Sequence, residues 1–339
     1  MGKTGCSSST AYNFWDYYLL KGGLRKNASI ALKTEPDRII LNIGAKGIKL
    51  RKGLYKRIFA MVNEKRLEYY GHSGKMVVYS ADRSRKKECS LNIGAVETVE
   101  KMLNAGVDFE EAGEDLFLVE IVKGVRFYVR KTDPSDFQIL EENFLHDQYE
   151  DLYKYLNGSI VLDIGANVAD TAVLFCLKGA KKVFAYEPHP EVYGLAVRNI
   201  GLNGLSDRIA ISRLGSDGDE KTVSVREHSF GADKGSEKRR EDYCAKETHF
   251  RTIPFTRILD ETGPVDLLKM DCEGGEFGSI LKCPSAYLRR IRLMQIEYHD
   301  DPKPLIDHLK GSGFDVTVKN AKETDCGCLG LIFAARKEQ

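Results

Sequence analysis

The chain has 339 residues, 42% hydrophobic and 30% charged, with a net charge of +1, the composition of an ordinary globular protein with room for two domains and a large core. No apolar run approaches the roughly 20 residues of a membrane span, and the polar opening MGKTGCSSST lacks the apolar segment of a signal peptide; a cytoplasmic location is therefore expected. Eight cysteines stand at 6, 89, 176, 244, 272, 283, 326 and 328 without CxxC spacing, which argues against a zinc site or a disulfide framework.

The small net charge conceals an uneven distribution. Residues 21–66 carry 13 Lys or Arg against three acids, Glu35, Asp37 and Glu64. Such a surplus suits either a solvated face or a surface for an anionic partner such as RNA, a phosphorylated sugar or a lipid headgroup.

Residues 1–114 read as an α+β region. An aromatic-rich stretch at 11–20 suggests a docking helix, 38–43 and 76–79 suggest strands, and 54–63 and 96–104 suggest short helices. LNIGA occurs at 41 and again at 91, but the flanking residues differ, so no duplicated site is inferred. Residues 115–158 read as a β-hairpin broken at Lys123-Gly124, followed by a helix opened by Asp133-Pro134 with Phe137, Leu140 and Phe144 on one face.

From residue 159 the alternation becomes regular. SIVLDIGANVAD at 159–170 is a short apolar strand that ends abruptly in a glycine turn, and the apolar spacing of the following residues suits a helix stopped by Gly179. A strand, a turn without a Cβ and a helix N-terminus together make a place for a nucleotide. KVFAYE at 182–187 is a second strand ending in an acid 24 positions after Asp163, where nucleotide-binding folds hold the ribose hydroxyls.

Further strands are expected at 208–214, 221–225, 265–271, 292–298, 314–318 and 329–335. Residues 226–250 show no periodicity and read as an insertion or lid. The last two strands are joined too briefly for a helical crossover and must pair antiparallel. A dinucleotide dehydrogenase should end instead on a parallel sixth strand and carry a fuller GxGxxG than GANVAD. A nicotinamide-dependent oxidoreductase and a non-catalytic binding protein remain the alternatives.

VLDIGANVADTA, FAYEPHP with NIGLNG after it, DLLKMDCEGGEF and QIEYH occur in that order. Through them, the last two thirds of the chain resembles the FkbM family of S-adenosylmethionine-dependent methyltransferases. The resemblance implies an α/β fold, a Rossmann-like class I methyltransferase sheet of parallel strands closed by an antiparallel C-terminal hairpin, at residues 159–339. It implies S-adenosylmethionine as cofactor, with Asp163, Gly165 and Asn167 under its methionine part, Glu187 on its ribose, and Ala166 and Asp271 as further cofactor-binding residues. Ala169 stands where the family commonly has glycine, which is expected to crowd the first helical turn slightly. The implied reaction is methylation, usually of an oxygen, on a sugar, glycolipid or natural-product acceptor; RNA is the alternative acceptor.

Ligands of this architecture lie outside the carboxyl ends of the strands. Asp271 and Glu273 follow the fourth strand, and Glu297 and His299 end the fifth. Asp271, Glu273 and His299 are the expected catalytic residues, with Asp271 or His299 as base or substrate orienter. Carboxylates at these ends also resemble the divalent-cation site of some O-methyltransferases, and a divalent metal stays open as the less favoured alternative. Lys269, inside an apolar strand, calls for a carboxylate partner that the sequence does not identify.

Overall fold

The computed structural model describes residues 30–35, 38–43, 46–51, 57, 58, 60, 61, 64, 66–70, 75–90, 93–227, 246–272, 274–324 and 327–337. The expected docking helix at 11–20, most of the expected helix at 54–63, Glu273 and Cys326 lie outside the described residues. The chain divides into two compact units, residues 1–122 with 129–138, and residues 123–128 with 139–339.

In the first unit, Ile30–Glu35, Arg38–Ile43 and Lys46–Arg51 form an antiparallel meander. A second meander comprises Leu67–Tyr70, Lys75–Tyr79 and Lys86–Ser90. The helix Val96–Ala105 buries Val96, Val99, Met102 and Leu103, and ends at Gly106 in the left-handed conformation that satisfies its last carbonyls. Of the two LNIGA copies, Leu41, Asn42 and Ile43 lie in a strand and Ile93, Gly94 and Ala95 form a 3₁₀ turn, so the described residues show no repeated element. Two cations of the basic region are already committed: Arg57 pairs with Glu97 at 3.2 Å and Glu100 at 2.7 Å, and Arg66 pairs with Glu64 and Glu100.

The second unit is built on a seven-stranded sheet. Its strands are β1 (Ile160–Ile164), β2 (Lys182–Tyr186), β3 (Ile209–Ser212), β4 (Val265–Met270), β5 (Ile291–Tyr298), β6 (Phe314–Thr324) and β7 (Gly327–Arg336). The spatial order is β3-β2-β1-β4-β5-β7-β6. The first five are parallel, and β7 lies antiparallel between β5 and β6. Buried strands of a parallel sheet read as continuous apolar runs because both faces are covered; Leu162, Ile164, Leu268, Met270, Met294 and Ile296 all enter the core. The connecting helices are α1 (Asp170–Leu177), α2 (Pro190–Leu202), α3 (Gly275–Leu281) and α4 (Lys303–Gly311).

The expected insertion at 226–250 is corrected in part. Lys246–Pro254 is a strand, paired antiparallel with Lys221–Glu227 and parallel with Gly215–Asp217. Its buried side chains include Thr248 and Thr252, so the alternation is carried by threonines and escapes an apolar-period reading.

NIGLNG has a structural explanation. Asn199 on α2 accepts from the Tyr128 N–H at 2.8 Å and donates to the Tyr128 carbonyl at 3.2 Å, while Asn203 does the same with Arg126 at 3.1 and 2.7 Å. Four helical residues rise about 6 Å and two strand residues about 6.6 Å, so an i, i+4 pair of amides matches alternate residues along one strand edge. Asn199 also donates to the Val168 carbonyl at 3.0 Å, which ties the same clasp to the turn after β1.

Candidate active site

The glycine turn is pinned from both sides. The Gly165 and Ala166 N–H groups each donate to the Tyr186 carbonyl at 3.0 Å, and the Asp271 N–H donates to the Ile164 carbonyl at 3.0 Å. Three residues of the turn take positive φ: Gly165 at 77°, Asn167 at 46° and Ala169 at 67°. Asn tolerates that region, whereas alanine there costs about 1–2 kcal/mol. Ala169 is therefore more than the mild crowding expected, because its backbone is left-handed at the residue that opens α1.

Lys269 finds its partner in Asp163, which stands opposite it in the β1–β4 register. Its Nζ lies 3.4 Å from Asp163 Oδ1 and donates to the Gly165 carbonyl at 2.8 Å. Burial alone would lower the lysine pKa, but Asp163, with Tyr149, Asp271 and Asp170 behind it, raises it well above the usual value. The other Asp163 oxygen accepts from Thr171 Oγ1 at 2.6 Å. Sequence reasoning passed over Asp170 and Asn143, which meet here at 2.5 Å through Asn143 Nδ2. Burial pushes Asp170 up to about 7, Lys269 opposing and Asp163 assisting.

Glu187 sits where the second strand ends and is almost fully buried. Its carboxylate accepts from the Asn167 N–H at 3.0 Å and the His189 N–H at 2.8 Å, so it also braces the turn. Burial raises its pKa despite those bonds.

At the carboxyl ends of β4 and β5, Asp271, Glu297 and His299 each bring a ligating atom within 4.8 Å of the others, all half-buried. His299 Nε2 is 4.0 Å from Glu297 Oε1, and Nδ1 is 2.8 Å from Glu276 Oε1. Glu276, in the first turn of α3, is fully buried, and the sequence reading missed it. The preceding glycines have separate reasons: Gly274 takes φ 113°, and a Cβ on Gly275 would stand 2.7 Å from the Ser216 carbonyl oxygen. The three residues Asp271, Glu297 and His299 could hold a divalent cation as well as an acceptor hydroxyl.

The strand order and directions, the glycine turn, the buried acid after β2 and the polar strand ends define a class I methyltransferase architecture. Residues 163–315 match the family model for the methyltransferase FkbM domain, in agreement with the resemblance that the motifs carry. No curated protein matches the chain. Among solved structures, precorrin-6y C5,15-methyltransferase from Geobacter metallireducens GS-15 is 14% identical with a TM-score of 0.34, over 56% of this chain and 87% of that one. Magnesium protoporphyrin IX methyltransferase from Synechocystis PCC 6803, with bound SAM, is 12% identical with a TM-score of 0.36, over 60% and 83%. Likeness this distant says nothing about the acceptor. Among the described residues no helix is long and apolar enough to cross a membrane.

The residues present fit S-adenosylmethionine. Asn143 Oδ1, Asp163 Oδ1 and Asp170 Oδ1 are buried and accept no hydrogen bond among the described residues. Asp163 Oδ1 still faces Lys269 Nζ at 3.4 Å, while Asn143 Oδ1 and Asp170 Oδ1 have no donor among the described residues; acceptors of this kind suit an ammonium group, which has three donors and no acceptor.

Proposed function

We propose that residues 159–339 methylate a hydroxyl group on a sugar, glycolipid or natural-product acceptor. The observation that carries this reading is the meeting of Asp271, Glu297 and His299 at the ends of β4 and β5, two strands along from the turn at β1. S-adenosylmethionine supplies a methyl carbon already activated by the sulfonium. Asp163, Asp170 and Asn143 would receive its α-ammonium, Gly165, Ala166 and Asn167 its methionine end, and Glu187 the ribose hydroxyls.

Positioning provides much of the rate of such an in-line transfer. A hydroxyl acceptor adds one demand, because its proton must leave as the oxygen attacks. The carboxylate and imidazole groups at the strand ends meet that demand without a metal: His299 takes the proton, and Asp271 orients the hydroxyl. Glu273, two positions after Asp271 in the sequence, is proposed as a further catalytic residue.

The test begins with calorimetry using S-adenosylhomocysteine. Labelled S-adenosylmethionine is then offered with glycan, lipid and RNA extracts, and the methylated atom is identified by mass spectrometry and NMR. Label on an oxygen of a glycan, glycolipid or small product is expected. Label confined to nitrogen, carbon or RNA would overturn the reading.

A further inference from the structure

We infer that Glu276 is a positioning residue that sets the tautomer of His299, holding the ring proton on Nδ1 and turning Nε2 towards Asp271 and Glu297 as the proton acceptor. This deepens the methyltransferase reading and rests on it.

The inference starts from what Glu276 can accept. Its side chain is fully buried, and both of its oxygens are engaged by donors. Oε2 takes the Gly274 N–H at 2.8 Å and the Cys272 thiol at 3.5 Å, while Oε1 faces His299 Nδ1 at 2.8 Å. The Gly274 N–H, a backbone donor aimed at Oε2, favours the charged form of that carboxyl. An ionised carboxylate is acceptor-only, so Nδ1 must donate. A neutral imidazole with its proton on Nδ1 has its lone pair on Nε2, the nitrogen 4.0 Å from Glu297 Oε1.

The surroundings favour proton uptake at that nitrogen. Glu297 Oε1 lies 4.0 Å from it and Asp271 belongs to the same cluster of side chains, and their charge stabilises the imidazolium that forms. In the transfer, the acceptor oxygen bonds to the methyl carbon as the carbon–sulfur bond breaks. The electron pair goes to sulfur, and the hydroxyl proton passes to Nε2 and then to water. Glu276 touches neither acceptor nor cofactor in this scheme; it acts through His299.

Glu276→Gln separates this role from a structural one. Glutamine has the same shape but one acceptor oxygen. The Gly274 N–H, fixed at the start of α3, retains that oxygen, and the amide N–H₂ then faces Nδ1. The ring must answer by accepting there, which moves its proton to Nε2. Long-range ¹H–¹⁵N spectra of the full chain read the tautomer directly. Wild type should show Nδ1–H and the Gln variant Nε2–H, with S-adenosylhomocysteine affinity unchanged within about twofold. Turnover with the most active extract should drop on the order of 10²–10⁴-fold. Glu276→Asp, which keeps the carboxylate, should retain Nδ1–H and recover part of the rate.

An Nε2–H ring in wild type, or a Gln variant with unaltered tautomer and rate, would overturn the inference while leaving the methyltransferase reading intact. Activity abolished by chelation and restored by Mn²⁺ would also overturn it, since Nε2 would then be a ligand. An Nδ1–H ring in a protein that neither binds S-adenosylhomocysteine nor transfers methyl would instead defeat the functional reading on which it rests.

Discussion

A Cβ placed on Gly165 would lie 1.7 Å from the carbonyl oxygen of Asp271. The turn after β1 and the end of β4 therefore touch backbone to backbone, and one contact sets the spacing of Gly165 and Asp271. Gly165→Ala adds a left-handed alanine at φ 77° to an overlap that only backbone movement can relieve. Destabilisation of about 3 kcal/mol or more is expected, with S-adenosylhomocysteine binding lost. Thermal unfolding and calorimetry check both, and a variant with wild-type melting would contradict the contact.

Lys269 neutralises a carboxylate that no water reaches, since both side chains are buried. Lys269→Met leaves Asp163 charged and uncompensated, at a cost of about 3–5 kcal/mol. The double variant Lys269→Met with Asp163→Asn should regain much of that loss while still failing to bind cofactor. Urea unfolding of the four proteins gives the interaction energy, and strictly additive losses would deny the pair.

Asp170 predicts a pH dependence with a definite sign. Its pKa is raised from 3.8 to about 7 in the folded protein, so between those values the native state holds a proton that the unfolded chain has released. Stability from this group therefore falls as pH rises from about 4 to about 7, by up to about 1.4 kcal/mol per pH unit, and is level above. Asp170→Asn should be increasingly more stable than wild type across that window. Parallel stability curves from urea titrations would refute the assignment.

Glu187 has two duties, the turn and the ribose. Glu187→Ala should weaken S-adenosylhomocysteine binding by about 1–3 kcal/mol through lost charged hydrogen bonds, and NAD should give no binding heat with either protein. Tight NAD binding without heat from S-adenosylhomocysteine would restore the oxidoreductase alternative.

The sheet was legible because each strand of the second unit is a short apolar run closed by a turn signal, and because the brief link between β6 and β7 admits only an antiparallel pair. The turn after β1 and the acid after β2 were legible for the same local reason: Asp163 and Gly165 stand at the close of β1, and Glu187 follows β2 directly. What escaped depends on register or on distance along the chain. Lys269 meets Asp163 only once β1 and β4 are aligned. Glu276 reads as an ordinary acid in a helical first turn until His299, 23 residues later, is brought beside it. Lys246–Pro254 hid behind inward threonines, and the left-handed backbone at Ala169 contradicts what alanine ordinarily signals.

The asparagine clasp on α2 has a practical consequence for anyone cutting the chain. Asn199 and Asn203 stand in for a neighbouring strand, and they hold residues 126 and 128 by both polar groups of each peptide. An expression fragment that begins at residue 159 would strip both amides of their strand partners and leave the side chain of Asn199, wholly buried, holding only the Val168 carbonyl beside the glycine turn. A piece that keeps the clasp has to include residues 126–128, a stretch of chain that a boundary drawn at the first motif would discard.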